Sequence, residues 1–217
     1  MNLNLVVLDP AHGGPDAGAV LGSNVVEKDI TLTMAAQLRV ALTAAGFTVI
    51  ATRDTNSDST NPLTNDQRAE IANHARAVAC VVLHATNTGT GVHVYTSTLS
   101  PAESGNENDG APSAFVPLPW EMAQAGSVQQ SDQLADDLRS GLAAGNLPVV
   151  VGKAAVRPLD NLMCPAVAVE LAPLGAGSDA TPVTDADYQQ RVAGVLAEAL
   201  RAWRAQATPQ APQQGPQ

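Results

Sequence analysis

Aromatic residues are scarce. Two each of Trp, Tyr and Phe occur in 217 residues, so any core must be aliphatic and rich in Ala, Val and Leu. Clusters of Lys or Arg are missing as well. The chain carries 11 basic against 21 acidic residues, a net charge of -10. That balance disfavours nucleic acid or an anionic membrane surface as a partner, because both require concentrated positive charge. No stretch approaches the roughly 20 apolar residues that span a bilayer. The first apolar run begins almost at Met1, so no signal peptide is expected within this sequence. The chain is therefore expected to be cytoplasmic, or to have lost an export signal. Two cysteines, Cys80 and Cys164, are too few for a disulfide scaffold; both open apolar runs and read as small core hydrophobes.

What is present suffices for a globular domain: 45% of residues are hydrophobic and 15% charged. Asn4 to Leu8 reads as a buried strand stopped at Asp9-Pro10, and a glycine-rich loop from Asp9 to Gly18 follows. Helical spacing runs from Lys28 to Ala45, with Ile30, Met34, Leu38 and Leu42 on one stripe and Gly46 as a stop. Phe47 to Thr52 reads as a second strand, Thr64 to Ala75 as a helix, and Val78 to Leu83 as a third strand buried on both faces. Val92 to Tyr95, Val149 to Val151 and Ala166 to Leu171 are further strands, and Ser131 to Leu142 a further helix. Thr184 with Asp187 resembles a capping box opening a last helix that turns Val192, Leu196, Leu200 and Trp203 inward. Residues 97–127 form a long insertion of low periodicity, and 207–217 a Pro/Gln-rich tail or linker remnant, which leaves 1–206 as the folded domain. Apolar strands alternating with amphipathic helices predict an α/β fold, a single twisted, mostly parallel sheet of about six strands with helices on both faces.

In such folds ligands bind beyond the carboxyl ends of the strands. His12 follows the first strand, His84 closes the third, Glu170 closes the last long one, and Glu27 stands at the start of the first helix. Two imidazoles and two carboxylates are the donor chemistry of a catalytic zinc site, with three ligands, an open position and a nearby carboxylate. Each has a plainer reading. A histidine after a strand is commonly structural, and a lone Glu at a helix start complements the helix dipole. Glu170 resists such a reading, because a carboxylate in the run Pro165-Ala166-Val167-Ala168-Val169-Glu170 is costly unless paired or bound to metal. His74 lies in a polar helix and is expected to face solvent, while His93 lies in a strand whose faces the pattern does not assign.

Two rivals fare worse. The glycine loop lacks G-x-G-x-x-G spacing and any Gly-Lys-Ser/Thr, so it is a poor phosphate cradle. A cysteine hydrolase would need Cys80 or Cys164 beside a histidine, and both thiols read as preceding their strands, on the opposite edge.

Six ordered blocks carry a resemblance. They are Leu8-Asp9-Pro10-Ala11-His12-Gly13-Gly14-Pro15-Asp16-Ala17-Gly18, Glu27-Lys28-Asp29, Thr52-Arg53-Asp54, Arg68-Ala69-Glu70-Ile71-Ala72-Asn73, Leu83-His84-Ala85 and Pro165 to Glu170. Over roughly residues 4–203 the chain resembles the zinc-dependent N-acetylmuramoyl-L-alanine amidases, cell-wall amidases of the amidase-3 type. The resemblance implies Zn2+ held by His12, Glu27 and His84, with Glu170 as the catalytic carboxylate. It implies hydrolysis of the amide between the lactyl group of N-acetylmuramic acid and the L-alanine of the stem peptide. A non-catalytic zinc-containing peptidoglycan-binding domain is the alternative, and Glu170 is the residue such a module would not need. Asp9 or Asp29 is expected to orient a histidine from behind.

The chain is expected to act as a monomer on peptidoglycan in the cell envelope, with a protein activator as a further partner and, from its charge, no contact with nucleic acid. In some relatives an inserted helix blocks the zinc until an activator releases it. Here Glu103, Glu107 and Glu121 offer blocking carboxylates, and Phe115 and Trp120 offer anchors. The simpler expectation for 97–127 is a wall of the substrate groove or a mobile loop. Ala11 replaces a usual Gly, Thr86 a common Asn, and Leu171-Ala172-Pro173 a common Gly-Phe-Leu, departures expected to touch substrate preference more than chemistry.

Overall fold

The structure, a computed structural model, describes residues 2–56, 62–101 and 119–207. In chain order its elements are β1 (Asn2–Pro10), the short strands β2 (Val20–Gly22) and β3 (Val25–Val26), α1 (Glu27–Ala44), β4 (Thr48–Ala51), α2 (Asn65–Ala75), β5 (Ala77–Ala85) and β6 (Val92–Thr96). There follow α3 (Val128–Ala144), β7 (Val149–Lys153), β8 (Ala166–Leu171) and α4 (Ala186–Ala207). Six strands make one sheet in the order β4-β1-β5-β8-β6-β7. Every neighbouring pair is parallel except β6 with β8, so β6 and β7 run against the other four.

The side-chain alternation of the strands divides the core in two. Val6, Leu8, Val81, Leu83, Val167 and Val169 face the long helices α1, α3 and α4, which bury Leu38, Leu134, Leu138, Leu196 and Leu200 against them. The other face is built from smaller residues. Val7, Cys80, Val82, Ala166 and Ala168 pack beneath Ala69 and Ala72 of α2 and beneath Leu159 and Leu162 of a short 3-10 segment. Helices therefore cover both faces, as expected, though among the described residues one side carries a single short α-helix with 3-10 segments beside it.

Local signals account for most boundaries. Helix α1 buries Ile30, Met34, Leu38 and Leu42 and gives way at Gly46, whose φ of +84° turns the chain. Thr64 caps α2 in a full capping box with Gln67. At α4 the cap differs from expectation: Asp185, not Thr184, accepts the Tyr188 N–H at 2.7 Å. The Tyr188 hydroxyl donates to the carbonyls of Gly91 (3.0 Å) and Ala172 (2.9 Å), tying α4 to the chain just outside β6 and β8. Its burial pushes the phenol up to about 12.

Two features depart from the sequence reading. The segment between Gly18 and Glu27 forms the β2–β3 hairpin, which its few residues had not signalled. Cys80 and Cys164 are buried as expected but are not separate hydrophobes: they form a disulfide across 84 positions. That bond joins β5 to the residue pair leading into β8, and it leaves no thiol for a cysteine hydrolase.

Candidate metal centre

Three side chains converge at the carboxyl edge of the sheet. His12 lies in the loop just past β1, Glu27 is the first residue of α1, and His84 is the penultimate residue of β5. Each offers one donor atom, and these atoms lie within 4.8 Å of one another. Glu27 is the hub. Its Oε2 is 3.1 Å from His12 Nε2 and its Oε1 is 2.8 Å from His84 Nδ1. The two imidazoles meet edge to face, with centroids 5.7 Å apart.

The backbone around Glu27 completes the setting. The hairpin returns the chain so that Ala19 N–H donates to Oε2 (2.9 Å), and Ala85 N–H donates to Oε1 (3.2 Å). Gly18, at φ +67°, is needed here, because a Cβ would come within 2.6 Å of the His12 ring and 2.8 Å of Glu27. Burial alone would raise the Glu27 pKa. The hydrogen bonds with His12 and His84, and that from Ala19, outweigh it and hold the carboxyl well below the usual range. The hydrogen bond to Glu27 in turn raises the pKa of His12.

The outer nitrogen of His12 is held by Asp16, whose Oδ2 is 2.9 Å from Nδ1. Asp16 therefore has the orienting role expected of Asp9 or Asp29. Burial works against its charge, yet the hydrogen bonds with His12 and from Gly18 N–H keep its pKa lowered. Asp9 instead pairs with Arg68 at 2.7 Å, both being 4% exposed, and accepts from the Thr52 hydroxyl. Asp29 accepts from Asn56. Asp9 is thus taken by Arg68 and Thr52, and Asp29 by Asn56.

Two arginines hold that loop. Arg68 donates to the carbonyls of Pro10 (2.9 Å) and His12 (2.6 Å), while Arg53 donates to those of Pro10 and Ala11, each at 2.9 Å. Burial, with Arg68 nearby, lowers the Arg53 pKa to about 10. Ala11 fits without a glycine's freedom, at 6% exposure and outside the left-handed region.

The donor set could hold a divalent metal ion. It combines two imidazoles with a carboxylate kept ionised, and Asp16 fixes one ring so that Nε2 faces inward. Further, among the described residues His84 Nε2 is buried without a hydrogen-bond partner, which leaves that nitrogen available to a ligand.

Glu170 stands beside this group, paired in register with His84 on β5. On its other side it is paired with His93 of β6, whose Nδ1 is 2.7 Å from Glu170 Oε2. His93 is the residue that the pattern left unassigned. Strand alternation could have turned it to the face of His84 and Glu170, but only with the antiparallel register of β6 in hand. His74 is exposed on α2, as expected, its Nδ1 beside the Glu70 carbonyl. Thr86 bonds to Thr88. Of the insertion, Glu103, Glu107 and Phe115 lie outside the described residues. Trp120 bonds to Asp66 and Glu121 is exposed, both on a 3-10 helix that Gln124 anchors to the carbonyls of Leu162 and Cys164.

Comparison with known proteins gives a consistent result. The family model described as N-acetylmuramoyl-L-alanine amidase matches residues 6–202. A germination-specific N-acetylmuramoyl-L-alanine amidase of Bacillus subtilis is 37% identical over 90 residues, 37% of this chain and 38% of that protein. The chain thus spans well under half the length of the curated relatives it matches. Among solved structures, the catalytic domain of CwlV, an amidase of Bacillus (Paenibacillus) polymyxa, superposes with a TM-score of 0.65 at 21% identity, over 92% of this chain and 97% of that one. The CwlD amidase of Clostridioides difficile, solved in complex with the GerS lipoprotein, gives 0.65 at 19% identity, over 93% and 98%. At such identities these likenesses speak to the fold.

Proposed function

The chain belongs to the N-acetylmuramoyl-L-alanine amidase family of the amidase-3 type, and from that membership we propose a zinc-dependent hydrolase of peptidoglycan. The bond cleaved is the amide between the lactyl group of N-acetylmuramic acid and the L-alanine of the stem peptide. One observation carries the proposal: His12, Glu27 and His84 converge at one sheet edge with Glu170 in register beside them.

His12 and His84 would hold the ion as neutral imidazoles and Glu27 as a carboxylate. Zinc bound there supplies the positive charge that acidifies a water and polarises a carbonyl. Asp16 keeps His12 in one tautomer. Glu170 takes the proton from the attacking water and returns it to the departing amine of L-alanine, a role worth roughly two to four orders of magnitude.

We assign the catalytic domain to residues 1–206 and the tail to 207–217, with α4 running through Ala207. The Cys80–Cys164 disulfide supports work in an oxidising compartment, the cell envelope. The GerS complex of CwlD supports a protein partner here too.

Incubation of the protein with peptidoglycan, with and without chelator, followed by mass spectrometry of the products, tests the reading. Peptides beginning with L-alanine should appear, vanish on chelation and return with zinc. Release that is indifferent to chelator would remove the metal from the reaction. Binding with no release would favour the non-catalytic module.

A further inference from the structure

Glu170 has a partner that the proposed chemistry has not used. His93 Nδ1 lies 2.7 Å from Glu170 Oε2, across the one antiparallel seam of the sheet. An ionised carboxylate can only accept, so Nδ1 carries the proton in this contact. The His93 side chain is 12% exposed and that of Glu170 is 28%, so the bond is largely shielded while the carboxyl keeps access to solvent.

The ring is held from other directions as well. Gly89, at φ +78°, lies against its far edge, where a Cβ would come within 2.6 Å of Cε1 and 2.8 Å of Nε2. Tyr95 meets it edge-on, with centroids 6.3 Å apart.

We propose that His93 is a positioning residue for Glu170. Resting on the amidase reading of Glu170, the role is to fix the rotamer of that long side chain and to occupy Oε2. Oε1 is then left to exchange the proton with water and the leaving amine. A glutamate at a partly open strand end would otherwise sample several rotamers. Misplacement of a reacting group by about 1 Å can cost about 10²-fold in rate. A hydrogen bond to a charged acceptor is also among the stronger ones a side chain can make.

The rival is a purely structural cross-strand pair. His93→Leu and His93→Asn separate the two, assayed as zinc-loaded protein on a soluble muropeptide, with zinc content and thermal midpoint measured alongside. Asn keeps an amide N–H near the place of Nδ1. The Leu variant should lose about 10- to 100-fold in kcat with KM and zinc content unchanged, and the Asn variant should recover most of it. Independently of turnover, nitrogen NMR of the chelated wild-type protein should find neutral His93 protonated on Nδ1, a preference that Glu170→Ala removes. Equal losses in both variants, zinc loss in His93→Leu, or protonation on Nε2 would overturn the positioning role. An active wild type with an unimpaired Leu variant overturns this role alone. An inactive wild type overturns the amidase reading and this role with it.

Discussion

His12 adopts a φ of +64°, a conformation that few side-chain-bearing residues take, Asn, Asp and His more often than the rest. Such backbone persists only where the surroundings over-determine it. Here Arg68 grips the His12 carbonyl at 2.6 Å and Asp16 grips its ring. At this scale the sequence was informative where chemistry coincides with an apolar boundary. His84 and Glu170 end hydrophobic runs, so their place at one edge of the sheet followed from position. Asp16 was not legible, because a left-handed turn decides which aspartate reaches the imidazole, and Asp9 is claimed by a buried arginine that looked like an ordinary helix residue. Two substitutions divide the roles. His84→Ala should lower the zinc-to-protein ratio measured by metal analysis. Glu170→Ala should leave zinc bound while hydrolysis falls by at least about 10²-fold; retained turnover would take Glu170 out of the chemistry.

Among the elements, long ones were easier to foresee than short ones. Helix α1 announces itself through Ile30, Met34, Leu38 and Leu42, but β2 and β3 contain only 3 and 2 residues, too few to establish a period. Yet that hairpin delivers the Ala19 N–H to Glu27. The disulfide was illegible for a different reason: Cys80 and Cys164 each suit an apolar setting, and only the pairing of β5 with β8 brings them together. Those are the strands that carry His84 and Glu170. Closing a loop of 84 positions constrains the unfolded chain, by roughly 4.5 kcal/mol for a loop of that size. The double variant Cys80→Ala/Cys164→Ala should therefore unfold at lower denaturant, losing roughly 2–5 kcal/mol. A midpoint equal to that of the oxidised parent would show that the bond adds nothing to stability.

For the molecule as a whole, the alternation of strands and helices sufficed to anticipate one layered sheet, but not the reversal of β6 and β7, since a short strand reads alike in either direction. The proposed metal centre links this fold to pH. In the metal-free protein the raised pKa of His12 contributes stability that is complete below its unfolded value of 6.5 and is lost as pH climbs through the folded one. Glu27, with its lowered pKa, contributes above its unfolded value of 4.5 and loses that contribution as pH falls. Metal binding requires neutral imidazole and so runs the other way. The difference in thermal midpoint between zinc-loaded and chelated protein should widen as pH rises from about 5 to about 8. A constant or shrinking difference would remove His12 from the ligand set.

Because β6 is reversed, its entrance lies beside the exit of β8, and residues 86–91 must step from β5 over β8 to reach it. That bridge is stitched to the strand beneath: Thr86 N–H donates to Leu171 O, Gly91 N–H to Pro173 O, and Ala172 N–H to Gly91 O, each at 2.9 Å. It acts as a gauge block between two histidines. One residue more or less would either tear those stitches or roll His93 onto the opposite face. Among exposed loops, which commonly drift in length, this one is a fixed dimension of the molecule.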